Sequence, residues 1–179
     1  MKFTAAPLAG AFIVDIDPTS DERGFFARTF CAAELAEYGF SAAALQCSVS
    51  FNINKGTLRG MHYQAPPHDE DKLIRCTAGA IYDVIVDVRT GSASYGRWFG
   101  AELTAANRRA LLAPKGFAHG FLTLAEDSEV LYMISAPYAP GFARGFSWND
   151  PKVAIVWPAK PVVVSARDAA YQPLDHGAS

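Results

Sequence analysis

Glycine and proline punctuate this sequence from one end to the other, and their spacing constrains the fold more than any other feature. Fourteen glycines and eleven prolines are spread over 179 residues, and the runs between them are short and rich in Val, Ile, Phe, Tyr and Trp. β-Branched and aromatic residues suit a pleated, half-buried surface. Many short strands separated by turns predict an all-β sandwich or barrel. Ala80 to Val88 is the best strand. Tyr82, Val84, Val86 and Val88 fall on one face, and Ile81, Asp83, Ile85 and Asp87 on the other. Acids on an otherwise apolar face are expensive unless paired or solvated, so that face either looks into a wet cavity or holds structural arginines. Arg97 to Leu103, Ala110 to Ala113 and Val130 to Ser135 read as further strands, as does Val153 to Trp157, stopped by Pro158. Helix is scarce. Ala32 to Tyr38 is one short helix, ended by Gly39, with Glu34 spaced to reach back to the Cys31 amide. A second starts after Ser165, with Asp168 in or just before it.

Half of the residues are hydrophobic and 19% are charged, as expected of one soluble globular domain spanning residues 1–179. The formal net charge is -2 and the arginines are scattered, which argues against a nucleic-acid track and for a local phosphate pocket. Cys31, Cys47 and Cys76 are odd in number and widely spaced, so neither a disulfide framework nor a zinc ribbon is indicated. The opening residues lack a secretory pattern and no run is long enough to span a bilayer. The expected location is the cytoplasm, with no membrane partner.

Four polar clusters carry the chemistry. They are Asp21-Glu22-Arg23-Gly24-Phe25-Phe26; Arg59 to Gln64 with Lys72 after it; Pro114 to Phe121, containing His119; and a C-terminal group with Tyr132, Tyr138, Trp148-Asn149-Asp150-Pro151 and Ser165 to Asp168. Gly56 precedes His62 by six positions, and Pro114-x-Gly116-x-x-His119 follows later. This spacing resembles the two half-motifs of the cupin double-stranded β-helix, a jelly-roll barrel. Metal-binding cupins carry a His-x-His pair and a Glu in the first half-motif. Here Gln64 takes the second ligand position, and Glu70 or Asp69 only loosely matches the carboxylate. Transition metals prefer imidazole to a carboxamide, so the metal site looks dismantled.

A more specific resemblance covers nearly the whole chain. Gly56-Thr57-Leu58-Arg59-Gly60-Met61-His62-Tyr63-Gln64, Lys72-Leu73-Ile74-Arg75-Cys76, Asp83 to Arg89, Gly116-Phe117-Ala118-His119-Gly120-Phe121 and Trp148-Asn149-Asp150-Pro151 occur in order and in register. Together they resemble the signatures of the dTDP-4-dehydrorhamnose 3,5-epimerase family. The resemblance implies a cupin-like barrel with a few short helices. It also implies enolate-forming proton transfer on a dTDP-linked 4-keto-6-deoxyhexose, without metal or redox cofactor. It gives His62 as base, Asp168 as the carboxylate that orients it, Tyr132 as acid and Lys72 as a cation near O4. Arg23 and Arg59 match diphosphate contacts, and Phe26, Gln46 and His119 match the lining of the pocket. Tyr138 matches an aromatic residue near sugar and nucleotide. The family is also expected to form a homodimer in which the N-terminal strands pair with the partner.

The sequence departs from the family in places. Ser48 stands where many members have Asn, which bears on nucleotide contacts. Met61 replaces a usual Leu, and Met133 a frequent Lys. Read from the residues alone, several roles stay open. Asp83 is a rival partner for His62, Asp168 can be a helix cap, and His119 can simply bond its loop. Tyr132 and Tyr138 can be packing residues. The Trp148 to Pro151 segment reads as a structural turn, and His68 and His176 as exposed. The competing functions are a metal-dependent cupin using His62, Gln64 and His119, a non-catalytic sugar-binding cupin, a 3-epimerase that leaves C5 alone, and an epimerase for another nucleotide.

Overall fold

The structure, a computed structural model, describes residues 1–43 and 46–175; His176 lies outside the described residues. The first strands are β1 (Lys2–Ala5), β2 (Phe12–Asp15), β3 (Thr19–Asp21), β4 (Gly24–Phe26), β5 (Gln46–Asn52), β6 (Thr57–Gln64) and β7 (Lys72–Ala78). They continue with β8 (Ala80–Asp87), β9 (Trp98–Thr104), β10 (Ala110–Ala113), β11 (Phe117–Thr123), β12 (Ser128–Ile134), β13 (Ala143–Gly145) and β14 (Val163–Val164). One sheet has the order β1-β2-β10-β7-β12-β5, the other β13-β6-β11-β8-β9, with β14 also paired to β6. β3 and β4 form a separate hairpin. The predicted all-β architecture is present, as two sheets face to face that do not join edge to edge.

Alternation along the strands builds the core. Ile74 and Cys76 of β7, Leu111 of β10 and Val130 of β12 meet Ile81 and Ile85 of β8 and Phe117 and Phe121 of β11. Each such side chain, fully buried, contributes roughly 1.5–3 kcal/mol. The opposite face of β8, Tyr82, Val84 and Val86, packs outward beneath Phe146, Val153, Ile155 and Trp157. The two acids of β8 split the alternatives between them. Asp83 faces His119 in the interior, whereas Asp87 holds the Arg89 guanidinium at 2.7 Å and the Ser92 and Ser94 hydroxyls at 2.7 and 2.6 Å.

Val153 to Trp157 is not a strand. Its alternation is real, since Val153 is buried, Ile155 and Trp157 half-buried, and Ala154 and Val156 exposed. The period reports packing onto the second sheet rather than a hydrogen-bonded ladder. Ala154 has φ 51, incompatible with a strand, and Asp150 Oδ1 holds the amides of Lys152 and Val153 at 2.7 and 3.0 Å. Asp150 Oδ2 also accepts the Leu174 amide at 2.7 Å, so the Trp148 to Pro151 segment is the structural turn expected.

The first helix, α1 (Ala32–Ala36), is shorter than predicted, and buries Leu35. Glu34 does not reach the Cys31 amide: its carboxylate takes the Met1 ammonium at 2.8 Å and Arg28 at 3.0 Å, partners carrying full charge. α2 (Ala166–Ala169) starts after Ser165, as read from the sequence. His68 is half-buried rather than exposed, its ring 4.3 Å from that of Phe142. Among the described residues no helix is long and apolar enough to cross a membrane.

Candidate active site

β6 and β11 lie side by side with His62 opposite His119, and their register shifts between His119 and Phe121. A regular strand sends residues three apart to opposite faces. Here the irregularity lets Arg59 and His62 line one cavity of about 450 Å³, together with His119, Tyr132, Arg167 and Asp168. The two strands approach closely at this point. A Cβ on Gly60 would lie 2.7 Å from the Gly120 Cα, and a Cβ on Gly120 would lie 2.8 Å from the Arg59 carbonyl, so both positions require glycine.

His62 Nε2 lies 2.7 Å from Asp168 Oδ1, which answers the rivalry between Asp168 and Asp83. Nor is Asp168 the helix cap. Ser165 Oγ accepts the Asp168 amide at 3.1 Å and caps α2, leaving the carboxylate to receive the Gly60 amide on Oδ2 at 3.2 Å. Burial alone would raise the Asp168 pKa, but the bond to His62, the His62 charge and the Gly60 and Ser165 bonds outweigh it and hold it below the usual range. An ionised Asp168 only accepts, so the proton of the neutral imidazole sits on Nε2 and the lone pair on Nδ1 is left for chemistry.

His119 takes Asp83, with Nε2 2.6 Å from Oδ1. Asp83 Oδ2 is buried without a hydrogen-bond partner among the described residues. Desolvation pushes the Asp83 carboxyl above the ordinary range, against the pull of His119 and Lys72. Tyr132 stands on the opposite sheet, its ring 5.8 Å from that of His119 in an edge contact. Desolvation and the nearby Asp83 push its phenol well above the usual tyrosine range, so it keeps its proton throughout the neutral region.

A second cavity, about 260 Å³, shares His62, His119 and Tyr132 with the first and adds Gln46, Ser48, Lys72 and Tyr138. Strand register explains the grouping: Ile134 of β12 stands between Gln46 of β5 and Lys72 of β7, while Tyr132 stands opposite Ser48. Gln46 Oε1 accepts the Tyr138 amide at 3.2 Å, and the Tyr138 side chain remains 61% exposed, open to a flat ligand. Two predicted residues are not brought here. Arg23 and Phe26 sit on the β3–β4 hairpin and do not line these cavities; Arg23 pairs with Asp21, and Phe26 is 80% exposed.

Two further residues stand here in roles the sequence reading does not give them: Arg167, read only as part of the Ser165 to Asp168 cluster, and Glu70, read only as a loose match to a metal-cupin carboxylate. Arg167 lines the larger cavity beside Arg59, with its Nε 2.9 Å from the Tyr171 hydroxyl. It adjoins Asp168 in the chain, the one signal that could have found it. Glu70 lies 3.0 Å from the Lys72 ammonium. Gln64, weighed as a metal ligand, donates to the His68 and Pro137 carbonyls and to Glu70. Among the described residues no group of three His, Cys, Asp or Glu side chains is placed to hold a metal ion.

The chain is similar to known proteins of one family in sequence and in fold. The family model for dTDP-4-dehydrorhamnose 3,5-epimerase matches residues 5–176. The enzyme of that name from Sinorhizobium fredii is 38% identical over 173 residues, covering 97% of this chain and 89% of the relative. The crystal structure of the Bacillus anthracis enzyme, with TDP and PPi bound, superposes with a TM-score of 0.91 at 38% identity, covering 97% of this chain and 99% of that one. The Legionella pneumophila enzyme in complex with dTDP-4-keto-L-rhamnose gives 0.89 at 35% identity, covering 96% and 92%. With its sequence matched almost end to end and its fold superposed throughout, the chain belongs to the dTDP-4-dehydrorhamnose 3,5-epimerase family.

Proposed function

We propose that the protein epimerises C3 and C5 of dTDP-4-dehydro-6-deoxy-D-glucose, giving dTDP-4-dehydro-L-rhamnose. The observation that carries this is the placement of a base and an acid on opposite sheets, His62 on β6 and Tyr132 on β12, lining the same cavities. The C4 ketone acidifies the hydrogens on C3 and C5. His62 Nδ1 removes one, and Asp168 steadies the imidazolium that forms. Charge moves to O4, where the Lys72 ammonium stabilises it. The protonated Tyr132 returns a proton from the far side and the carbon inverts. His62 then releases its proton to solvent and Tyr132 regains one from it, and a second cycle treats the other carbon once the sugar has re-seated.

Arg59 and Arg167, at the mouth of the larger cavity, are placed to hold the diphosphate. Gln46, Ser48 and Tyr138 line the adjoining space, where the nucleotide and sugar meet. The protein acts as a homodimer in this reading. β1 is an edge strand with an open ladder, and Val49 and Phe51 of the other edge strand are 58% and 53% exposed. In a dimer the β3–β4 hairpin of one protomer can bring Arg23 and Phe26 to the cavity of the other. The cytoplasm suits the three cysteines, all free.

The test is incubation with the substrate in heavy water, followed by proton NMR. Deuterium at both C3 and C5 is expected. Exchange at C3 alone would make the enzyme a 3-epimerase, and exchange at neither would overturn the reading.

A further inference from the structure

Lys72 needs more than a place in the cavity wall to stabilise an oxyanion. A lysine ammonium is a point charge with three donors on a flexible stem, and its rotamer freedom must be removed before it can serve one atom. The structure shows how two of those donors are occupied. Nζ lies 3.0 Å from Glu70 Oε1 and 3.4 Å from the backbone carbonyl of His62, the same residue that supplies the base. The ammonium is tetrahedral, so fixing two N–H bonds aims the third. The side chains of Lys72 and Glu70 are each only 10% exposed, which keeps water from competing for these donors.

Glu70 is itself fixed. Gln64 Nε2 donates to Glu70 Oε2, and also to the His68 and Pro137 carbonyls at 2.9 and 3.2 Å. The orientation of the Gln64 amide follows from its other end, because Oε1 accepts the Ala139 amide at 2.6 Å. Glu70 therefore meets a donor at each oxygen, Lys72 at one and Gln64 at the other. Only a carboxylate accepts at both.

We propose that Glu70 is the positioning residue for Lys72. Glu70 and Lys72 line the smaller cavity together with His62 and Tyr132, and with two N–H bonds engaged the ammonium has one N–H left for charge that develops on O4 in that cavity. This rests on the enolate reading given above. Misplacing such a donor by about 1 Å lowers turnover by up to roughly a hundred-fold, while ground-state binding, carried elsewhere, changes little.

The experiment compares the intact protein with Glu70→Ala and Glu70→Gln. Turnover of dTDP-4-dehydro-6-deoxy-D-glucose gives kcat and KM, and 13C relaxation at the Lys72 Cε gives the order of the side chain without substrate. Glu70→Ala should lower kcat roughly ten- to a hundred-fold with KM within about threefold, and Lys72 should become mobile. Glu70→Gln should fall between, because its amide oxygen can serve Lys72 only by turning its NH2 toward that of Gln64. The proposal is overturned if Lys72 is equally ordered in Glu70→Ala, if kcat is unchanged there, or if the whole loss appears in KM. Should Glu70→Ala not fold, Glu70→Gln, nearly equal in volume, gives the same two readouts. If the unaltered protein exchanges no substrate protons, the enolate reading fails, and the Lys72 relaxation still decides whether Glu70 holds the ammonium.

Discussion

His62 and Asp168 stand 106 positions apart in the chain, yet the imidazole Nε2 lies 2.7 Å from the carboxylate Oδ1. α2 closes back on β6 to make this contact, held by the Gly60 amide on the other carboxylate oxygen and by the parallel pairing of β14 with β6. The tautomer of His62 is thus set by a residue 106 positions further along the chain.

This pairing orders the effects of substitution. His62→Ala should lower kcat by roughly 10³–10⁴, and Asp168→Asn by roughly 10², because the imidazole remains while its orientation and charge support weaken. Steady-state kinetics on both variants checks this. Full activity in Asp168→Asn would show that the contact is structural only.

Tyr132→Phe separates proton removal from inversion. His62 can still take a proton and give it back, so deuterium wash-in persists while inverted product falls steeply, at C5 above all. Proton NMR in heavy water reads both in one sample. Equal loss of wash-in and inversion would mean that Tyr132 is not the acid of the far side.

The two arginines at the cavity mouth should bind phosphate oxygens. Arg59→Ala and Arg167→Ala should each weaken dTDP binding by about 1.5–3 kcal/mol, roughly ten- to a hundred-fold, measured by calorimetry. Added salt should weaken binding modestly. Unchanged affinity in both variants would place the diphosphate elsewhere.

Asp87 governs acid stability instead of catalysis. Burial works to raise its pKa, but Arg89, the Ser94 and Ser92 hydroxyls and the Arg89 amide hold it far below the usual carboxylate range. A depressed folded-state pKa stabilises the fold above the unfolded value of about 4, and that stability is lost as the pH falls below it. Asp87→Asn should therefore lower Tm at neutral pH and flatten the loss of stability below about pH 4. The Arg89 side chain is 35% exposed and water can take over part of its hydrogen bonding, so the loss is about 1.5–3 kcal/mol, or roughly 3–12 °C in Tm for a chain of this size. Thermal melts across the acid range check both halves.

Chelation should leave activity intact. Gln64 is turned to Glu70, and Glu70 to Gln64 and Lys72, so these two residues of a metal-cupin ligand pattern already have partners. A metal whose removal abolished turnover and whose return restored it would displace the ammonium from the mechanism.

Much of this protein was legible in one dimension because strands carry their pattern locally. The alternation of Ile81, Tyr82, Asp83 and Val84 fixes the two faces of β8 with no knowledge of its neighbours. The Ser165 start of α2 and the Asp150 turn are likewise properties of a few adjacent residues. Long motifs in register, from Gly56 to Gln64 and from Gly116 to Phe121, carried the family.

Pairing was decided only by the tertiary structure. Two acids on one face of β8 look alike in sequence, yet Asp83 meets His119 of β11, 36 positions away, whereas Asp87 meets Arg89 just past the end of its own strand. Val153 to Trp157 alternates as a strand does and is none, since burial of one side does not require a ladder. Arg59 and His62 share a cavity only through a register shift that no local period reveals. Arg167 and Glu70 have near neighbours as partners, but only the packing of the strands shows that each lines a cavity with His62. The physical reason is that a sequence states which faces are apolar, whereas a bond such as Asp83 to His119 or Asp168 to His62 depends on which distant backbone comes within about 3 Å.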